Sequence, residues 1–363
     1  RKRKMNNKTV HHLSHTDLDG YSCQLVMKQT PYTLFNYNAN YGAEVKQTLE
    51  LVLQNIKKDD KSATILITDL NLNADEAKWL HNEVTKLNEN KKDVTLTLLD
   101  HHGSGEESAK KYDWYYLDTL RCATKITYDY AKEHFELNEP AWMEKFVNIV
   151  NAVDLWKMEE RDNFEYGKVC MRLVSDMREL NKVMFAQADN NYKLSLLLEA
   201  VKYIDEENAP IVLDENIHKI KKDFFKKNHD NTLDNLAAEY IIELLGKARD
   251  EKTIYYKGYR GYLSYGVGNT SIIGNSFLLT YPEYDFIVDV SYRGTLSIRA
   301  NNGVNVALIS KEWTGGGGHP NAAGGRIVGF KEQYRYDKVK AQIEKIINEK
   351  ESVAGELEYK KEY

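Results

Sequence analysis

Three features of this 363-residue chain predict an α/β fold, with a doubly wound parallel sheet first and a smaller α+β domain with a mixed sheet second. Short β-branched and apolar runs alternate with helical periodicity through the first hundred residues, the signature of parallel strands covered by helices. Acidic and histidine residues follow three of those runs, where open parallel sheets bind ligands. The composition then changes from Thr253, with five tyrosines in the eleven residues 255–265.

Taken in order, 10–14 reads as a strand and 21–28 as the start of a helix. A second strand is expected at 32–37. A helix follows over 44–56, with Val45, Leu49, Val52, Leu53 and Ile56 on one face. A third strand at 63–68, a helix at 74–87 and a fourth strand at 94–99 complete the alternation. Residues 1–189 are therefore assigned to a catalytic domain. The Lys- and Glu-rich stretch 190–252 is helical in pattern and reads as a connector. Strands at 284–292 and 295–300 place a substrate-binding domain at 253–345. A helix is expected at 337–348, and 346–363 reads as a polar tail.

With 42% hydrophobic and 29% charged residues, the chain has apolar material for packed cores, and disorder of its bulk is excluded. Charges interrupt every apolar run short of the roughly 20 residues that span a bilayer, so no membrane partner is expected. Arg1-Lys2-Arg3-Lys4 precedes no apolar run and reads as a solvated end. Cys23, Cys122 and Cys170 are odd in number and widely spaced, which suits free thiols in a reducing cytoplasm. The net charge of −5 argues against a grip on long duplex nucleic acid and leaves room for short anionic ligands.

Four segments supply hard-metal ligands: His15-Thr16-Asp17-Leu18-Asp19, Asp69, Asp100-His101-His102 and Asp154. Carboxylate and imidazole together suit Mn²⁺, Mg²⁺, Fe²⁺ or Co²⁺, and no cysteine joins them as a structural zinc site would require. Singly, each has a plainer reading, such as Asp17 or Asp19 capping a helix or Asp69 making a turn. Four together at strand ends are harder to assign to chance.

Here the sequence resembles the DHH phosphoesterase family, named for the triplet present as Asp100-His101-His102. Its first motif is matched by His15-Thr16-Asp17-Leu18-Asp19-Gly20, its second by Ile67-Thr68-Asp69 and its fourth by Asn151-Ala152-Val153-Asp154. A glycine-rich motif of the family's C-terminal domain is matched by Gly315-Gly316-Gly317-Gly318-His319-Pro320-Asn321-Ala322-Ala323-Gly324-Gly325. The first histidine stands two residues before the first aspartate, where many members have four.

The resemblance implies two divalent cations, with Mn²⁺ favoured and Mg²⁺ or Co²⁺ as alternatives. One would be held by His15, Asp17 and Asp69, the other by Asp19, Asp69, His101 and Asp154. Asp69 would bridge, Asp100 would orient a histidine, and His102 would face the substrate phosphate. Arg299 and His319, with the backbone of Gly316, Gly317 and Gly318 as an anion nest, would hold the substrate. The activity implied is two-metal hydrolysis of short oligoribonucleotides from an end, as in the family's small oligoribonucleases. Removal of phosphate from 3′-phosphoadenosine 5′-phosphate and cleavage of cyclic dinucleotides use the same chemistry on other pockets. A nucleotide-binding sensor without turnover is the alternative of another class. A homodimer is compatible with the sequence.

Overall fold

The two central strands of the first half, 9–14 and 62–68, are buried on both faces, as a parallel sheet is where its crossover helices cover it. In the computed structural model, which describes residues 9–59 and 62–353, the chain divides into two compact units. The basic residues 1–4 and the end of the polar tail lie outside the described residues.

The first unit comprises residues up to 178 and 186–224. It runs β1 (Thr9–Ser14), α1 (Leu18–Met27), β2 (Thr33–Asn38), α2 (Ala43–Asp59), β3 (Ser62–Thr68), α3 (Ala74–Glu89), β4 (Asp93–Asp100), α4 (Glu106–Lys111) and β5 (Tyr115–Leu117). Helices α5 (Ala123–His134), α6 (Met143–Asp154), α7 (Arg161–Asp176), α8 (Ala186–Val201) and α9 (Ala209–Phe225) follow. The five strands are all parallel, in the order β2-β1-β3-β4-β5. Strand order therefore reverses between β1 and β3, and a crevice opens at their carboxyl ends.

Alternation along β3 shows the double winding directly. Ile65 and Ile67 face a core with Val45, Leu49 and Val52 of α2 and Leu80 of α3. Leu66, one residue out of phase, faces the opposite core with Val26 and Met27 of α1, Ile126 of α5 and Val147 of α6. The predicted strands and helices of this half all appear, within a few residues at their ends.

The expected boundary at 189/190 falls inside α8. Asn190 donates to Gln24 Oε1 at 2.7 Å and to Asn38 Oδ1 at 2.9 Å, and accepts from Asn36 Nδ2 at 3.0 Å. This buried amide network ties α8 to α1 and β2, because each polar group under α1 needs a partner away from water. The helices of 190–252 are thus shared between the units, α8 and α9 belonging to the first and α10 (Leu233–Lys247) to the second.

The second unit comprises 179–185 and the residues from Phe225 on. After α10 come α11 (Arg249–Lys252), β6 (Thr253–Tyr256), β7 (Tyr259–Tyr265), α12 (Thr270–Thr280), β8 (Phe286–Val290), β9 (Thr295–Ala300), α13 (Val306–Thr314), β10 (Gly317–His319), β11 (Ala322–Arg326) and α14 (Tyr336–Val353). Its sheet has the order β10-β11-β9-β8-β7-β6 and is mixed, with β7 and β8 parallel and the other pairs antiparallel. The tyrosine run forms the β6–β7 hairpin, turning at Lys257 and Gly258, both at positive φ. Tyr256, Tyr262 and Tyr265 are buried in its core. Among the described residues, no helix is long and apolar enough to cross a membrane, and the three cysteines are free and buried.

Helices α6 and α7 pack unusually close because α7 has a glycine where they touch. A Cβ on Gly167 would lie 2.6 Å from Val153 Cβ and 3.1 Å from the Ile149 carbonyl oxygen. Gly167→Ala should destabilise the protein by about 1–3 kcal/mol, as overpacking does, read as a lower urea midpoint at unchanged m-value.

Candidate metal centre

The loops leaving β1, β3 and β4 bring their polar side chains to the crevice beside the strand-order reversal, and the end of α6 adds Asp154. Asp17 caps α1, with Oδ1 accepting from Gly20 N at 3.0 Å, while Oδ2 pairs with His15 Nδ1 at 2.8 Å. The capping reading of Asp17 and its place in the cluster are thus both realised. Gly20 makes this turn fit, since a Cβ there would lie 2.4 Å from the His15 carbonyl oxygen.

Asp19 is buried and is held by a segment a hundred residues away. Its two oxygens accept from the backbone N–H groups of Ala123 and Thr124, each at 2.8 Å, in the first turn of α5. Those N–H groups have no partner within their own helix, and a carboxylate there is favoured by the helix dipole. Asn151, in the segment matching the fourth motif, accepts from Cys122 N at 3.0 Å and so joins α6 to the same helix start.

Asp69 takes a left-handed backbone, φ 57°, directly after β3. Asp tolerates this region better than most residues, yet it is uncommon and clusters at functional positions. It carries the carboxylate into the middle of the cluster. His101 Nε2 lies 3.3 Å from Asp69 Oδ1, 3.6 Å from Asp19 Oδ2 and 3.6 Å from Asp154 Oδ2. His15 Nδ1 lies 3.7 Å from Asp69 Oδ2.

Two groups of ligand atoms are each within 4.8 Å of one another: His15, Asp17 and Asp69, and Asp19, His101 and Asp154. Asp69 also groups in this way with His101 and His102. Oδ2 of Asp69 and Oδ2 of Asp154 are buried yet accept no hydrogen bond. Buried carboxylate oxygens without donors are costly, and a divalent cation is the partner that this oxygen and nitrogen set fits.

The electrostatics carry the same message. Burial, then the charges of Asp19 and Asp17, push the Asp69 carboxyl well above the usual range. Burial and the charge of Asp19 raise Asp154 to about 7, with His101 opposing. Burial pulls His15 down, but its hydrogen bond to Asp17 and the carboxylate of Asp69 outweigh it and raise the imidazole to about 9. Each shift reports excess negative charge in a poorly hydrated place.

His102 is held from behind. Its Nδ1 donates to Asp100 Oδ1 at 2.7 Å, and the other oxygen of this fully buried carboxylate accepts from Tyr115 Oη at 2.9 Å. Burial and the Asp100 charge push the tyrosine up, which keeps it a donor. Tyr41 stands edge-on to His102, with ring centroids 5.9 Å apart. Sequence reasoning missed Tyr115 and Tyr41. The three-residue strand β5 shows no periodicity, and only Gly105 hints at the contact, since a Cβ there would meet the Tyr115 hydroxyl at 1.9 Å.

In the second unit, Arg299 on β9 pairs with Ala322, which pairs with His319 on β10. The three side chains share a face of the sheet, and the small Ala322 leaves a gap between the other two. Arg299 donates to Ser271 Oγ at 2.9 Å in the first turn of α12. The glycine run follows the C-terminus of α13, not a helix start: Gly315 is its left-handed cap, and a Cβ on Gly316 would meet the Gly324 carbonyl oxygen at 2.3 Å. The left-handed cap accounts for Gly315 and close backbone packing for Gly316, while Gly317 meets nothing and is exposed.

No protein-family model matches the sequence. The chain is 43% identical over 344 residues to a 3′,5′-cyclic-nucleotide phosphodiesterase of Helicobacter pylori strain 26695, covering 93% of this chain and 99% of that one. It is 24% identical over 368 residues to the oligoribonuclease NrnB of Bacillus subtilis, covering 96% and 82%. A solved structure of an uncharacterised protein from Helicobacter pylori G27 matches with a TM-score of 0.88 and 42% identity, covering 94% of this chain and 99% of that one.

The chain belongs to the DHH phosphoesterase family. It is a hydrolase acting on phosphate ester bonds. Members of the family are metal-dependent, and the acidic and histidine clusters of this DHH phosphoesterase fit that dependence.

Two outcomes check this geometry. Because the folded pKa values of Asp69 and Asp154 are raised, their stability contribution is full below the ordinary carboxylate range and is lost as pH climbs towards 7. A cation relieves that loss, so the rise in Tm on adding Mn²⁺ should be larger at pH 8 than at pH 5.5. Calorimetry showing no such difference would remove these carboxylates from the ligand set. Separately, Tyr115→Phe should lower kcat by about tenfold, the scale of a lost hydrogen bond to a charged group, with KM little changed.

Proposed function

We propose that this phosphoesterase is a divalent-metal-dependent phosphodiesterase of small nucleotide diesters, with a 3′,5′-cyclic nucleotide the first substrate to test. What supports the reading is the crowding of three carboxylates around His101 Nε2 beside a second group of His15, Asp17 and Asp69, with buried oxygens left unpartnered. The name and near-complete coverage of the Helicobacter pylori relative favour cyclic nucleotides over the oligoribonucleotides expected from sequence.

In this reading, His15, Asp17 and Asp69 hold one cation and Asp19, Asp69, His101 and Asp154 the other. Mn²⁺ suits the mixed set, with Mg²⁺ and Co²⁺ as alternatives. Bound there, divalent cations supply Lewis acidity that readies water near neutral pH and offsets charge on phosphoryl oxygens. Asp69, presented by its left-handed backbone, groups with His15 and Asp17 and also with His101 and His102, and would be the residue shared between the two ligand sets. Asp100, with Tyr115 behind it, holds His102 by Nδ1, and Nε2, which Tyr41 Oη approaches at 3.4 Å, is the atom that would meet a substrate oxygen. Water adds to phosphorus, one ester P–O bond breaks, and the departing oxygen takes up a proton. Arg299 and His319, with the backbone at 316–318, serve as a holder for the substrate on the second unit, the fork of Arg299 suiting a phosphate.

The second reading, cleavage of short oligoribonucleotides, is favoured by the match to NrnB along 96% of the chain. It calls for the same centre and another fit around it. A sensor without turnover is disfavoured, because each of the proposed metal-holding groups is present.

Metal-stripped protein given back Mn²⁺ should open 3′,5′-cyclic AMP to a nucleoside monophosphate, and the same preparation should be tried on an end-labelled RNA of five nucleotides. Asp69→Asn should lose this activity while remaining folded. Turnover undiminished in that variant would refute the bridging role. Inactivity of the wild type on both substrates would refute the diesterase reading.

A further inference from the structure

Beside the carboxylate cluster the first unit has a pocket that the chemistry described so far does not use. Its volume is 320 Å³, and one wall is formed by Asp17, Asp19 and Asp154 themselves. The remaining lining comes largely from Val150 and Val153 of α6 and from Met171 and Val174 of α7. The three valines are buried, while Met171 is 42% exposed at the lip. Gly167, one helical turn before Met171, sets how closely α7 approaches α6 and therefore the width of the slot.

Its character selects the occupant. Arg172 is the only cation in the lining, and its guanidinium is engaged by Asp214 at 2.8 Å and Asp176 at 3.5 Å. With Arg172 so engaged, no lining residue away from the carboxylates is left to hold a second phosphate. A neutral, largely apolar group is accepted instead. The size lies at the small end of ligand sites, which run from about 300 to 1,000 Å³, so there is room for one such group and not two. Methionine at the lip is adaptable and makes favourable sulfur–aromatic contacts.

We propose that this slot between α6 and α7 binds the nucleoside esterified to the phosphate under attack, making α7 a specificity element. The proposal rests on the reading of the substrate as a small nucleotide. A phosphate drawn to the cluster places its uncharged substituent beside the shared wall, with the apolar slot next to it.

Methyl-¹³C-methionine labelling reports on the slot without turnover, and Met171→Leu assigns its signal among the seven methionines. In Mg²⁺-loaded protein, adenosine 5′-monophosphate should move the Met171 methyl upfield through the ring current of the base, and inorganic phosphate should not. A methyl unmoved by millimolar nucleotide, or moved equally by phosphate, would overturn the proposal. As a second measurement, Met171→Trp plugs the lip. The ratio of kcat/KM for a nucleotide diester in this variant to that in the wild type should then be about one tenth, the order of one lost contact to a base. An unchanged ratio would overturn it as well. If no nucleotide diester is hydrolysed but the methyl still moves, the diesterase reading fails and the slot stands. If diesters are hydrolysed while methyl and ratio are both unaffected, the slot alone falls.

Discussion

Mutual repulsion among Asp17, Asp19, Asp69 and Asp154 is the constraint around which the first unit is arranged. Carboxylates this close, with Asp19 and Asp69 buried, do not assemble unless something compensates them. The fold supplies part of the compensation. Helix α5 offers Asp19 two N–H groups, and α1 offers one to Asp17. His15 and His101 provide imidazoles at the centre. The remainder is left to cations, and the buried oxygens of Asp69 and Asp154 without a donor mark where the protein stops compensating. The local geometry is costly for the same reason: Asp69 sits at positive φ, and Gly20 is required for α1 to start against the His15 backbone.

The DHH triplet divides its labour between front and back. His101 enters the carboxylate ring, while His102 stands beside it and is steered by Asp100. That steering depends on a carboxylate with no exposure, which is tolerable because both oxygens are hydrogen-bonded. Tyr115 is therefore as much a part of the arrangement as the triplet. Its hydroxyl reaches Asp100 only because residue 105 has no side chain. The pocket between α6 and α7 extends the same economy, since Asp154 ends the helix whose valines line it.

The sequence by itself determined the alternation of strand and helix and where the candidate ligand residues would stand. Both are local: periodicity of two or 3.6 is written in neighbouring residues, and a strand end places its next residue at the crevice whatever surrounds it. Tertiary structure decided what depends on distant segments meeting. Asp19 is partnered by residues 104 and 105 positions away, and Tyr115 lies on a strand too short to have a period. Helix α8 looked like a connector because its charges suggested solvent, until Asn190 closed a buried network with Gln24, Asn36 and Asn38. Within the glycine run, Gly315 and Gly316 owe their identity to a helix cap and to a strand packed against it. Such contacts are absent from composition and spacing, because the packing of elements far apart in the chain creates them.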